Sequence, residues 1–160
     1  MVFSYLASAL LAIFLIDLDF QIIPDAITLP GLVLGLAISF FPGGIGIVNS
    51  LIGLLVGGGS LYLMAIIGDW IFKKDSMGGG DIKMTAMLGT FLGWQQILFI
   101  FICSSVIGLV VSLVIMAFSK KLRESRVVPF GPFLAIAAAV AMLYGRQIID
   151  FYVNNFLTPQ

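Results

Sequence analysis

The chain has 160 residues, of which 61% are apolar and only 10% are charged, and its formal net charge is zero. Soluble domains carry about 25% charged residues, so this composition, with a mean hydropathy of +1.16, excludes a soluble fold and indicates an integral membrane protein. The zero net charge creates no field that would attract nucleic acid. The absence of His and the single Cys exclude His-based catalytic triads, His-containing zinc motifs and disulfides within one chain.

Apolar segments alternate with short polar loops along the whole chain. A helix that crosses a membrane needs about 20 apolar residues. We therefore predict one all-α domain over residues 1–160, a polytopic transmembrane helical bundle of about six spans at 2–16, 26–41, 47–72, 82–92, 97–118 and 130–144. The fourth segment is short and is predicted to be half-length or tilted within the bundle. The first lacks a basic start and a small-residue cleavage site, so we interpret it as a span and not as a signal peptide.

The basic residues predict how this bundle is oriented. All but Arg146 lie in or beside the third and fifth polar loops, at Lys73, Lys74, Lys83, Lys120, Lys121, Arg123 and Arg126. Short loops rich in Lys and Arg stay in the cytoplasm, so the odd-numbered loops are predicted to be cytoplasmic and both chain ends to face outward. The residues from 146 to 160 form a mixed polar and apolar tail that suits the membrane interface. Asp17 and Asp81 then fall on one side of the membrane at similar depth.

Two pairs of glycines spaced four residues apart predict close helix packing. Gly31/Gly35 and Gly53/Gly57 lie in the second and third segments, where small residues let helix backbones approach one another.

Ionisable residues near a membrane are candidate functional residues, and three acids stand out. Asp17 and Asp19 are two residues apart, so on a helix they diverge by about 200°. One can face the bundle interior and the other the head groups, and the pattern does not choose between them. Asp81 follows the run Gly78–Gly80, which permits a tight turn or close backbone approach to a ligand. A glycine turn followed by a helix N-cap explains the same pattern. Asp25 is predicted to cap the second helix.

The segments around these acids resemble the motifs of a known family. Gly78-Gly79-Gly80-Asp81 fits the GxGD motif of intramembrane aspartyl proteases, and its surroundings resemble bacterial type IV prepilin peptidases. Further segments that resemble that family, in the same order, are Ile16-Asp17-Leu18-Asp19-Phe20-Gln21-Ile22-Ile23-Pro24-Asp25, Leu88-Gly89, Leu92-Gly93-Trp94 and Pro129-Phe130-Gly131-Pro132. The resemblance covers nearly the whole chain.

The resemblance implies that Asp17 and Asp81 are the catalytic carboxylates of an aspartic endopeptidase. Its substrates would be type IV prepilins or pseudopilins, which lose a short basic leader just before an apolar helix. The neighbours of this pair in sequence, Gly78, Gly79, Gly80, Lys83 and Asp19, are predicted to shape the site or bind substrate. No metal and no other cofactor is expected. Besides the substrate, the partner is the lipid bilayer.

The resemblance also implies a place in the cell and one departure from the family. The enzyme would lie in the bacterial inner membrane with its site facing the cytoplasm, and would serve pilus assembly, type II secretion or DNA uptake. Many members carry an N-terminal region with paired CxxC motifs and methylate the new N-terminus with S-adenosylmethionine. This sequence contains no such motif, and methylation is not expected.

Two non-enzymatic alternatives stay open from the residues alone. One is a transporter whose buried Asp residues bind cations or protons, although the lack of internal symmetry counts against it. The other is a membrane assembly factor without a catalytic site.

Overall fold

The computed structural model describes residues 2–42, 44–73, 78–118, 130–152 and 154–155. These ranges contain six α-helices, which are α1 Val2–Phe20, α2 Asp25–Ser39, α3 Ile47–Phe72, α4 Gly79–Leu92, α5 Trp94–Phe118 and α6 Gly131–Tyr152. Within the described ranges no residue is in a β-strand, and the predicted all-α class is confirmed. The predicted basic loop at 120–126 and Lys74 lie outside the described residues.

The helices extend past the predicted apolar segments where polar or glycine residues adjoin them. Helix α1 continues beyond residue 16 to Phe20, α4 begins three residues before the predicted start at 82, and α5 begins at Trp94 instead of 97. Helix α6 runs through 146–152, into the predicted tail. Hydropathy marks only the apolar part of a helix, whereas the backbone hydrogen bonds continue through its polar ends. Asp17 therefore belongs to a helix and not to a loop.

The short fourth helix lies in the middle of the bundle. Helices α1, α3 and α5 are long and apolar enough to cross a membrane, while α2 and α6 contain shorter apolar stretches. In α4 and its C-cap, every residue from 84 to 93 is buried. Helix α4 is packed mainly against α3 and α2. The predicted half-length segment is thus an interior helix, enclosed by neighbours that are themselves largely exposed on their outer faces.

The paired glycines form the surfaces on which α4 packs. A Cβ atom added to Gly53 of α3 would lie 2.9 Å from the carbonyl carbon of Gly89 in α4, closer than side chains normally approach a backbone. Gly57 faces the α4 backbone in the same way, and Gly31 and Gly35 of α2 face α4 side chains. The prediction that both pairs serve helix packing is confirmed.

The alternating direction of the helices gives the bundle two distinct ends. One end holds a cavity of about 550 Å³ whose lining includes Val2 from the start of α1, Ser39 from the end of α2, Gln96 from the start of α5 and Gln147 near the end of α6. The opposite end therefore collects the end of α1 and the starts of α2, α4 and α6. Asp17 and Asp81 lie at this second end.

Candidate active site

The side chain of Asp17 lies inside the bundle, in the last turn of α1. Only 4% of it is exposed, whereas Asp19 is exposed. The Gln21 N–H donates to the Asp17 carbonyl oxygen at 3.0 Å, so the backbone stays helical through both acids and turns them to different faces. The structure thus separates two residues that the sequence pattern left equivalent, and Asp17 is the one that faces the interior.

The Asp17 carboxyl group packs against Gly131, the first residue of α6. A Cβ atom on Gly131 would lie 3.0 Å from Cγ of Asp17 and closer still to Oδ2. Carbon atoms in favourable contact are about 3.5–4.0 Å apart. The position therefore has no room for a side chain. In the sequence, Gly131 belongs to a motif that carries the family resemblance, and no role was predicted for it. Its signal, a glycine between Phe130 and Pro132 just before an apolar helix, gives no hint of which residue it faces.

Asp81 occupies the first turn of α4, before the apolar segment 82–92. Its N–H donates to the Gly78 carbonyl oxygen at 3.1 Å, and Gly78 is the N-cap, without a capping side chain. The alternative in which Asp81 serves only as an N-cap is therefore wrong. Burial, followed by the negative charge of Asp17, raises the pKa of Asp81 from 3.8 to about 6. Two carboxyl groups coupled in this way titrate as a pair.

The three glycines before Asp81 have different surroundings. A Cβ atom on Gly80 would lie 2.8 Å from Cβ of Ile23, so this glycine is needed for packing. A Cβ atom on Gly79 would meet no atom within 4 Å, and one on Gly78 would meet only Oδ2 of Asp81 at an ordinary 3.6 Å. Gly78 and Gly79 are exposed. The run thus has a packed side at Gly80 and an open side that another chain can approach.

Lys83 forms an ion pair across the rim of this end of the bundle. Its Nζ donates to Oδ2 of Asp25 at 2.6 Å, with side-chain exposures of 42% and 52%. The predicted N-cap role of Asp25 is wrong, because Pro24 is the N-cap of α2 and no side chain caps it. Asp25 lies inside the first turn and binds the charged amine of Lys83 instead. A hydrogen bond between two charged groups is stronger than one from a neutral backbone N–H. Lys83 therefore links the starts of α2 and α4.

Ile23 is a buried residue that packs against both Gly80 and Gly131, and no role was predicted for it from the sequence. It lies in the segment between α1 and α2 and is 8% exposed. Among the described residues no three His, Cys, Asp or Glu side chains come together as a metal site. Among the described residues at this end, Asp17 and Asp81 are the two carboxyl groups whose charges interact.

The fold and this pair suggest a class of protein. Two carboxyl groups whose charges interact are the kind of pair that aspartic proteases use, and here they lie at one end of an all-α membrane bundle. Comparison with family models makes the assignment specific. The chain belongs to the type IV leader peptidase family, whose model matches residues 4–113. Both Asp17 and Asp81 fall inside that match, whereas Gly131 lies beyond it.

Curated relatives agree with the family. The chain is 37% identical over 152 residues to the prepilin leader peptidase/N-methyltransferase of Aeromonas hydrophila, covering 92% of this chain and 51% of the relative. It is 41% identical over 149 residues to the protein of the same name from Stutzerimonas stutzeri, covering 91% of this chain and 50% of the relative. The Pseudomonas aeruginosa protein of that name is 40% identical over 149 residues, with the same coverage. The chain thus spans about half the length of the relatives it matches. No solved structure matches it significantly.

Proposed function

We propose that this chain is a membrane-embedded aspartic endopeptidase that removes the leader from type IV prepilins or pseudopilins, with Asp17 and Asp81 as its catalytic pair. The observation that carries the proposal is the electrostatic interaction of these two carboxyls at one end of the bundle, where Asp17 is buried and its charge helps to raise the pKa of Asp81 to about 6. The family and the names of the relatives support prepilins as the substrate class.

The mechanism follows from the shared proton. Two nearby carboxyls do not both ionise easily, so the pair holds one proton up to a pH of about 6. The carboxylate takes a proton from a water molecule while the water oxygen bonds to the scissile carbonyl carbon, and the protonated partner donates a hydrogen bond to the carbonyl oxygen. Collapse of the tetrahedral intermediate breaks the C–N bond, and the proton taken from water passes to the leaving amine.

The surroundings of the pair suit a peptide substrate. Gly78 and Gly79 are exposed beside Asp81, and a side chain at Gly79 would meet nothing within 4 Å, so an extended peptide backbone can approach there. The basic residues Lys73 and Lys83 at this end favour the cytoplasmic side of the bacterial inner membrane, where we place the site. A carboxylate pair accounts for hydrolysis alone, so the proposal does not include methyl transfer.

The test replaces each acid with its amide and measures cleavage of a full-length prepilin in membranes. Asp17→Asn and Asp81→Asn are both expected to abolish cleavage, because the pair loses either its base or its acid. Asp150→Asn is the control, since Asp150 is an exposed acid near the end of α6, at the opposite end of the bundle, and it is expected to stay active. Cleavage at the wild-type rate by Asp17→Asn or by Asp81→Asn would refute the mechanism. Ion-dependent flux without cleavage would support the transporter alternative.

A further inference from the structure

One buried side chain touches both helix starts that flank the carboxyl pair. A Cβ atom on Gly80 at the start of α4 would lie 2.8 Å from Cβ of Ile23 and 3.4 Å from its Cγ1. A Cβ atom on Gly131 at the start of α6 would lie 3.1 Å from Cδ1 of the same residue. The base of the Ile23 side chain therefore rests on α4, and its tip rests on α6.

Each of these two contacts is adjacent to a catalytic carboxyl. Gly80 directly precedes Asp81 in the chain, and Gly131 is also the residue against which the Asp17 carboxyl packs. The length of one side chain thus sets the gap between the backbone that carries Asp81 and the backbone that confines Asp17. We propose that Ile23 is a positioning residue that holds these carboxyls at their working separation. This inference rests on the proposed peptidase function.

Isoleucine in this place is unusually rigid. Its branched Cβ restricts the first side-chain torsion. The following residue is Pro24, at φ −69° and ψ 126°, and a residue before proline is restricted to extended backbone. Since the backbone and the first side-chain torsion are restricted, Cβ and Cγ1 are fixed against α4, and packing against Gly131 holds Cδ1 in place. A flexible residue such as methionine would fill the same space without setting a distance.

The first experiment compares two buried isoleucines in the full chain. Ile23→Ala removes the tip and leaves a cavity between α4 and α6. Ile100→Ala makes a similar cavity in α5, where Ile100 is 0% exposed and belongs to the same apolar core. Both variants are expected to lose stability. Only Ile23→Ala is expected to lower kcat, on the order of tenfold to a hundredfold as for a misplaced catalytic group, and to shift the pH profile of kcat. Ile23→Val, which keeps the branched Cβ against α4 but loses the Cδ1 tip against α6, is expected to have a kcat between those of the wild type and Ile23→Ala.

The second experiment is a double-mutant cycle that tests the contact with α4. Gly80→Ala would place a methyl group 2.8 Å from Cβ of Ile23, and Ile23→Gly removes that Cβ, so their effects on kcat are expected to be strongly non-additive. Gly59→Ala is the matched control, because a Cβ atom there meets nothing within 4 Å, and its effect should simply add to that of Ile23→Gly.

Three outcomes have distinct meanings. If Ile23→Ala and Ile100→Ala show the same kcat and the same pH profile, the positioning role is overturned and Ile23 is ordinary core. An additive Gly80–Ile23 cycle also overturns it. The Asp17→Asn and Asp81→Asn variants are assayed alongside, and cleavage by either of them would instead remove the peptidase mechanism on which the inference rests.

Discussion

Replacing Gly131 with alanine is the smallest change that should disable the site without unfolding the protein. The backbone allows it, because Gly131 is not among the described glycines with positive φ, and alanine is the better helix former by about 1 kcal/mol. The new methyl group, however, would lie 3.0 Å from Cγ of Asp17. Restoring a normal carbon contact of about 3.5–4.0 Å requires the carboxyl to retreat by about 0.5–1 Å.

That displacement sets the expected loss of activity. A misplacement of about 1 Å costs on the order of a hundredfold in rate, so Gly131→Ala should lower kcat by about tenfold to a hundredfold, equal to about 1.4–2.7 kcal/mol in the activation barrier. The assay is cleavage of a purified prepilin by the full chain in detergent or liposomes, with kcat and KM determined separately. The midpoint of thermal unfolding is measured on the same samples.

The chain offers a matched control for this variant at Gly59. Gly59→Ala adds the same methyl group to open space in α3, and it should leave kcat near the wild-type value. If Gly131→Ala cleaves with a wild-type kcat, Asp17 does not need the position that the structure gives it. If both variants lose activity equally, the loss reflects glycine replacement in general, and displacement of Asp17 is not its cause.

Three further predictions concern the same end of the bundle. Gly80→Ala should lower kcat more than Gly79→Ala, because only Gly80 packs against an isoleucine side chain; equal effects on kcat would contradict this. Lys83→Gln should lower the free energy of unfolding by only about 0.2–1 kcal/mol, since its pair with Asp25 is about half exposed; chemical denaturation measures this, and abolished cleavage would show a larger role. The pKa of Asp81, raised to about 6, lies above its unfolded value of 3.8, so kcat/KM should fall as the pH rises past about 6 and the pair loses its shared proton. The stabilisation from the proton on Asp81 should be complete below pH 3.8 and lost as the pH rises through about 6, and Asp81→Asn should remove this pH dependence of unfolding.

Much of the fold was predictable because a bilayer leaves the backbone few choices. Helices satisfy all their backbone hydrogen bonds internally, so apolar segments of the right length identify them, and the third was predicted with the bounds that the structure shows, Ile47–Phe72. The ends of other helices were predicted less well, since Asp17 and Trp94 are helical residues outside an apolar run. Glycines four residues apart indicated packing surfaces, because that spacing places them on one helix face.

The candidate site was predictable only in part. Asp81 was marked by its three glycines and by family resemblance, whereas Asp17 and Asp19 were indistinguishable by pattern. Ile23 and Gly131 gave no usable signal, because a buried isoleucine and a glycine before a helix occur in many folds. Their role depends on which helix ends meet, and that information lies in contacts between residues more than 50 positions apart.

The residues alone are enough to identify a helical membrane bundle with an acidic residue after a glycine run, and they predict that Asp17 and Asp81 lie on one side of the membrane. Composition and the hydrogen-bonding demands of the bilayer are enough for those conclusions. Contacts between distant segments were needed to show that Asp17 and not Asp19 faces the interior, that α4 is enclosed by its neighbours, and that Gly131 packs against Asp17 while Ile23 packs against Gly80. These features follow from close packing, in which the space left by one glycine is filled by a particular side chain from a distant segment.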